Sequence, residues 1–180
     1  TRIGKCSFDE LLIYGQEITG EVHRSIPMEA ANAVLVRIDK STYVADRYVH
    51  FNIDIIDEAI GLFVKVDYLP LKSFTTFVAF PDCGQTWNLF LLEIYCRRFS
   101  RKFRFDTPSV NSRNAGAVIR KSCGMDYTEI MTDAVANANV PLKDAAVGNF
   151  LYESGYTGRS TTAKVNEIID KAKDIRKRRD

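Results

Sequence analysis

Residues 86–121 constrain the fold more than any other stretch. The segment Thr86-Trp87-Asn88-Leu89-Phe90-Leu91-Leu92-Glu93-Ile94-Tyr95-Cys96 is apolar on nearly every side, as a helix is when other elements surround it. This predicts a core helix, with Thr86 as its cap and Trp87 packed beside it. Its end changes character at once: Arg97, Arg98, Arg101, Lys102 and Arg104 place five cations within eight residues and no acid among them. From Lys102 to Phe105 basic and aromatic residues alternate, the period of a strand with one buried and one solvated face. A polar, turn-rich stretch with Pro108 leads to a second candidate strand over residues 116–121.

A buried helix running into a basic hairpin follows the order of elements in a winged helix-turn-helix. A weak internal match extends that reading. Eleven residues separate Pro70-Leu71-Lys72 from Gly84 and Pro141-Leu142-Lys143 from Gly155, and each tripeptide follows a candidate helix. A Pro-initiated helix, a glycine turn and a further helix is helix-turn-helix order, and a repeat at this period implies serial small units. The expected fold is therefore mainly α with short antiparallel β-hairpins (α+β), in tandem winged-helix-like units. Their expected bounds are 1–51, 52–122 with the basic wing, and 123–180.

The other elements follow from caps and spacing. Ser7 caps a helix carrying Phe8, Leu11, Leu12, Ile18 and Val22 on one stripe, and Ser25-Ile26-Pro27 starts another with Met28, Ala31, Val34 and Leu35. Residues 42–51 have strand composition, with a hairpin expected about Asp46-Arg47. Asn52 or Asp54 caps a helix whose inner side holds Ile55, Ile56, Ala59, Ile60, Phe63 and Val64, and Asp54, Asp57 and Glu58 read as its acidic first turn. Pro70 opens another helix. Helices are also expected over 126–137, from Pro141 to Glu153, and after Ser160.

Composition sets the class. With 180 residues, 46% apolar and 27% charged, the chain has a globular composition. No run reaches the roughly 18 apolar residues of a membrane helix, and no secretion signal opens it. The initial Thr1 fits a piece of a longer protein. Four cysteines, Cys6, Cys83, Cys96 and Cys123, lack paired spacing, which favours a reducing intracellular compartment, cytoplasmic or nuclear, over a disulfide scaffold. The net charge of +2 conceals an asymmetry: residues 1–96 hold 8 Lys/Arg against 13 Asp/Glu, and residues 97–180 hold 17 against 10. One basic half suits a polyanion.

DNA or another polyanion is accordingly the expected partner. Arg97, Arg98, Arg101, Lys102 and Arg104, with Arg113, Arg120 and Lys121 of the hairpin, form the candidate phosphate track; cations at a helix carboxy terminus also balance its dipole. Gln85, Thr86 and Asn88 at the helix start, and Asn111 and Asn114 at the hairpin tip, are the candidate base readers. Arg159 and Ser160, at the expected start of the last helix, could hold a phosphate. The six cations of residues 171–180 suit a solvated helix end or an address signal. The alternative is a protein-interaction module of a larger intracellular assembly, joined to further domains or subunits. The third reading is a metal-dependent nuclease using Asp82 and Glu93, although Tyr95 stands where such a site wants lysine. No cofactor motif and no paired metal ligands occur, since His23 and His50 stand apart.

Overall fold

A computed structural model describes residues 4–21, 25–108, 113–161 and 163–179. Strand β1 (Lys5–Ser7) runs into helix α1 (Phe8–Thr19) through a capping box: Ser7 Oγ accepts from the Glu10 amide and the Glu10 carboxylate accepts from the Ser7 amide. Gly20, at φ 75°, ends α1 in the left-handed conformation. Helix α2 (Ser25–Val34) carries Pro27 in its first turn. It stops one residue earlier than its apolar spacing suggests, because Leu35 opens strand β2 (Leu35–Arg37). The hairpin forms between β2 and β3 (Thr42–Ala45), where Asp39 Oδ1 accepts from the Ser41 and Thr42 amides. Asp46–Tyr48 is a 3-10 turn rather than the expected hairpin tip, and residues 49–52 continue without a strand.

The middle of the chain holds helix α3 (Ile53–Phe63), capped by Asn52, and strand β4 (Tyr68–Pro70). The helix expected from Pro70 is a single 3-10 turn, Leu71–Ser73. Residues 74–88 contain no helix, because Phe74, Thr75, Thr76 and Phe77 are aromatic or β-branched and poor helix formers. Their rings are organised by packing instead: Trp87 stands 4.9 Å from Phe80 and 6.3 Å from Phe77 between ring centroids. Helix α4 (Leu89–Arg98) follows, then β5 (Phe103–Asp106) and β6 (Ala117–Arg120), the hairpin that the alternation predicted.

The fold is thus mixed α+β, with seven α-helices and two antiparallel three-stranded sheets among the described residues. The sheet orders are β1-β3-β2 and β4-β6-β5. In each, the strand that comes first in the chain pairs with the one that comes last.

Helices α5 (Tyr127–Asn137), α6 (Asp144–Glu153) and α7 (Val165–Lys177) complete the chain. The Pro-Leu-Lys repeat is not structural. Its first copy leads into a 3-10 turn and an irregular segment, its second into a ten-residue helix. Three apolar cores form, and they share walls. Helix α4 turns Leu91 and Ile94 toward β2 and β3, and Leu92, Tyr95 and Cys96 toward α3 and the second sheet. Strand β6 sends Val118 into that same core, and Ala117 and Ile119 into the one built by α5, α6 and α7.

Candidate functional site

The cations at the end of α4 and beyond it are largely engaged within the molecule. Arg97 binds Glu93 one turn back, at 3.1 Å, and lies over the Phe105 ring. Arg98, whose side chain is 19% exposed, grips the Asp46 carboxylate with both terminal nitrogens (3.2 and 2.8 Å) and also donates to the Leu35 carbonyl. Arg101 meets Asp54 at 3.2 Å, an exposed pair of little weight. Arg104 pairs with Asp106, two residues along the same face of β5, and donates to the Met125 carbonyl. Arg120 donates to the Val64 and Val66 carbonyls, and Lys121 to the Ser100 carbonyl at 2.7 Å. Carboxylates of the acidic first half therefore meet cations of the basic second half within the one molecule, Asp46 with Arg98 and, at the surface, Asp54 with Arg101.

Asp57 explains the turn that places these arginines. Helical phase puts it with Ile53, Ile60 and Val64 on the inward side of α3, so it is a buried side chain (2% exposed) and no member of an acidic first turn. Its Oδ1 accepts from Tyr95 Oη at 2.9 Å and Ser100 Oγ at 2.6 Å, and its Oδ2 from the Arg101 and Lys102 amides at 3.0 Å. Four donors satisfy a carboxylate that forms no ion pair among the described residues. Burial, together with that bond to Asp57, pushes the Tyr95 phenol far above its ordinary range.

The expected base readers are equally engaged. Asn88, rather than Thr86, caps α4: its Oδ1 accepts from the Phe90 and Leu91 amides and its Nδ2 donates to the Ile38 carbonyl at 2.7 Å. Gln85 donates to the Tyr48 carbonyl. Thr86 is exposed ahead of the cap, and its carbonyl accepts from Asn88. At the hairpin, Arg113 is exposed and Asn114 half-buried, both at positive φ (49° and 63°), and Asn111 lies outside the described residues.

Arg159 and Ser160 do not stand at a helix start, because α7 begins at Val165. The Ser160 carbonyl instead packs on α6 at Gly148, where only a hydrogen fits. The carboxy-terminal cations also have structural work: Arg176 donates to the carbonyls of Val135, Ala136, Ala138 and Val140 at the end of α5, and Arg179 pairs with Asp133. Of the candidate nuclease carboxylates, Glu93 is buried against Arg97, and Asp82 accepts from the Gly84 amide.

Concavities among the described residues include three of note. A cleft of about 540 Å³ between α2 and the end of α4 is lined by Glu29, Asn32, Arg97 and Arg98. Another of about 660 Å³ lies between β4 and helices α5 and α6, and its Asp133 is already bound by Tyr68 Oη (2.7 Å) and Asn137 (2.9 Å). The third, of about 290 Å³, lies between α1 and α2 and differs in kind, since its walls are Leu11, Tyr14 and Ile18 against Ala30, Val34 and Leu35. Helix α1 has no buried residue; Tyr14 is 67%, Ile18 76% and Val34 65% exposed.

Sequence reasoning placed Leu11, Ile18 and Val34 on apolar stripes but gave no sign that these stripes face solvent. The chemistry elsewhere is quiet. Among the described residues no group of His, Cys, Asp and Glu is placed to hold a metal ion, and no helix is long and apolar enough to cross a membrane. All four cysteines are free thiols, and burial raises those of Cys6, Cys83 and Cys96, which disfavours the reactive thiolate. No family model, no curated protein and no solved structure matches this chain.

Proposed function

We propose that the chain is a protein-interaction module whose docking surface is the apolar groove between α1 and α2. The observation that carries this reading is the uncovered face of α1. A helix of 12 residues is marginal in water unless an apolar stripe is packed, and contiguous exposed apolar surface marks interaction sites. The order of elements supports a tandem winged-helix description of the scaffold: a strand, two helical segments and a hairpin whose last strand returns to the first, in residues 5–45 and again in 68–120. On this reading Arg98, at the end of α4, fastens the second unit to the first through the Leu35 carbonyl and through Asp46, which directly follows β3.

Polyanion binding is the second reading. It is favoured by Lys102, Arg113 and Arg159, which are exposed and have no carboxylate partner among the described residues. An apolar fluorescent dye and a labelled DNA duplex separate the two. The docking reading expects dye binding that is lost in Ile18→Ser/Val34→Ser, and duplex affinity no different in Lys102→Glu/Arg113→Glu/Arg159→Glu. Absence of dye binding, with duplex affinity that falls log-linearly with salt and disappears on those charge reversals, would replace it with the nucleic-acid reading.

A further inference from the structure

Resting on that reading, we infer that the occupant of the α1–α2 groove is a basic amphipathic helix of a partner protein. Three observations converge on this partner. The first is shape. The groove lies between two helices held close by Gly15, where a methyl group would stand 2.9 Å from the Pro27 ring. The 12 residues of α1 make it about 18 Å long, the span of a partner helix of three to four turns.

The second is polarity. The walls are apolar apart from Thr19 and Glu21, so the face laid into them must itself be apolar, with anchors at helical spacing. The third is charge, and it selects the partner's other face. Residues 8–34 carry Asp9, Glu10, Glu17, Glu21 and Glu29, all exposed, against Arg24 as the one Lys or Arg of that stretch. Glu21 lines the groove itself, and Glu10 and Glu17 neighbour its wall residues Leu11 and Ile18 along α1, which makes the α1 rims acidic, whereas Glu29 faces the other cleft beside Arg97 and Arg98. A helix with leucine-like anchors and flanking lysine or arginine meets both the floor and these rims. An acidic helix meets the same floor but is repelled at the edge, which makes the rims a device of specificity.

The test uses the full chain and two synthetic helical peptides of about 15 residues, one of leucine and lysine and one of leucine and glutamate in the same pattern. Binding is followed by fluorescence anisotropy at low salt, and the state of the chain by sedimentation. The expected result is at least tenfold tighter binding of the lysine peptide. That binding should be lost in Ile18→Ser/Val34→Ser, and the preference should be reversed in Glu17→Lys/Glu21→Lys; all four positions are exposed and circular dichroism should show unchanged helix content.

Equal binding of both peptides, abolished by the serine variant, would overturn the basic partner and leave a docking module. Preference for the lysine peptide that survives the serine variant would place binding elsewhere and overturn the inference. No binding of either peptide, with a dimer that the serine variant dissociates, would make a second copy of the chain the occupant and overturn it too. No binding and no dimer would sink the docking module along with it.

Discussion

Replacing Asp57 by alanine should cost about 4 kcal/mol. The wild-type carboxylate is 2% exposed and accepts four hydrogen bonds, at 2.9, 2.6, 3.0 and 3.0 Å. Not all four donors are stranded when it is removed. Tyr95 Oη retains the Ile53 carbonyl at 3.1 Å, and the exposed Arg101 and Lys102 admit water to one of their amides. Ser100 Oγ and the remaining amide are left buried without an acceptor. Each such group costs about 1–3 kcal/mol, more when the lost partner was charged, so two give about 4 kcal/mol. That is a large share of the about 5–15 kcal/mol that holds a domain together. Urea unfolding followed by circular dichroism, with linear extrapolation to water, measures the loss as a lower midpoint at unchanged slope. Asp57→Asn keeps the shape but turns an amide nitrogen toward one pair of donors in either orientation, and should cost about half as much. An alanine variant within about 0.5 kcal/mol of the parent, inside the scatter of ordinary surface changes, would refute the role given to the Asp57 carboxylate.

Two further predictions follow from packing and burial. Gly148→Ala should destabilise by about 2 kcal/mol, because the new methyl overlaps the Ser160 carbonyl oxygen, whereas an unobstructed helical glycine would gain about 1 kcal/mol from the same change; thermal unfolding gives the sign. Burial raises the phenols of Tyr43, Tyr68, Tyr95, Tyr127 and Tyr156, so their folded values lie above the unfolded one of 10.0. Their contribution is intact below pH 10 and lost as pH rises beyond it. Ultraviolet titration should show five of the eight tyrosines ionising only as the chain unfolds, and a smooth titration of all eight in the folded state would contradict their burial.

Two helices were legible from their caps: Ser7, and Asn52 of the pair Asn52 or Asp54, each accept the amide that their position implies, whereas the cap of α4 is Asn88 and not Thr86. The alternation of residues 102–105 gave the β5–β6 hairpin. Strand β1 was not legible, because three residues cannot display a period and its partner, β3, lies far along the chain (Lys5 opposite Val44). Nor was β4, where Pro70 reads as a helix start but occupies the end of an edge strand. The arginines illustrate a deeper limit. A run of cations shows charge but not its neighbours, and Asp46 and Asp54 lie 52 and 47 residues from Arg98 and Arg101. Asp57 did leave a signal, since it shares the phase of Ile53, Ile60 and Val64, and a carboxylate on an apolar stripe demands donors from elsewhere.

Helix α4 and strand β6 each belong to two cores at once. A wall common to two rooms cannot be taken down from one side. From α3 to α7 the polypeptide should therefore melt in a single step, and severing it between β6 and α5 would leave each product with a bare apolar flank and a tendency to clump. Shortened versions of this chain should be cut only outside that shared masonry.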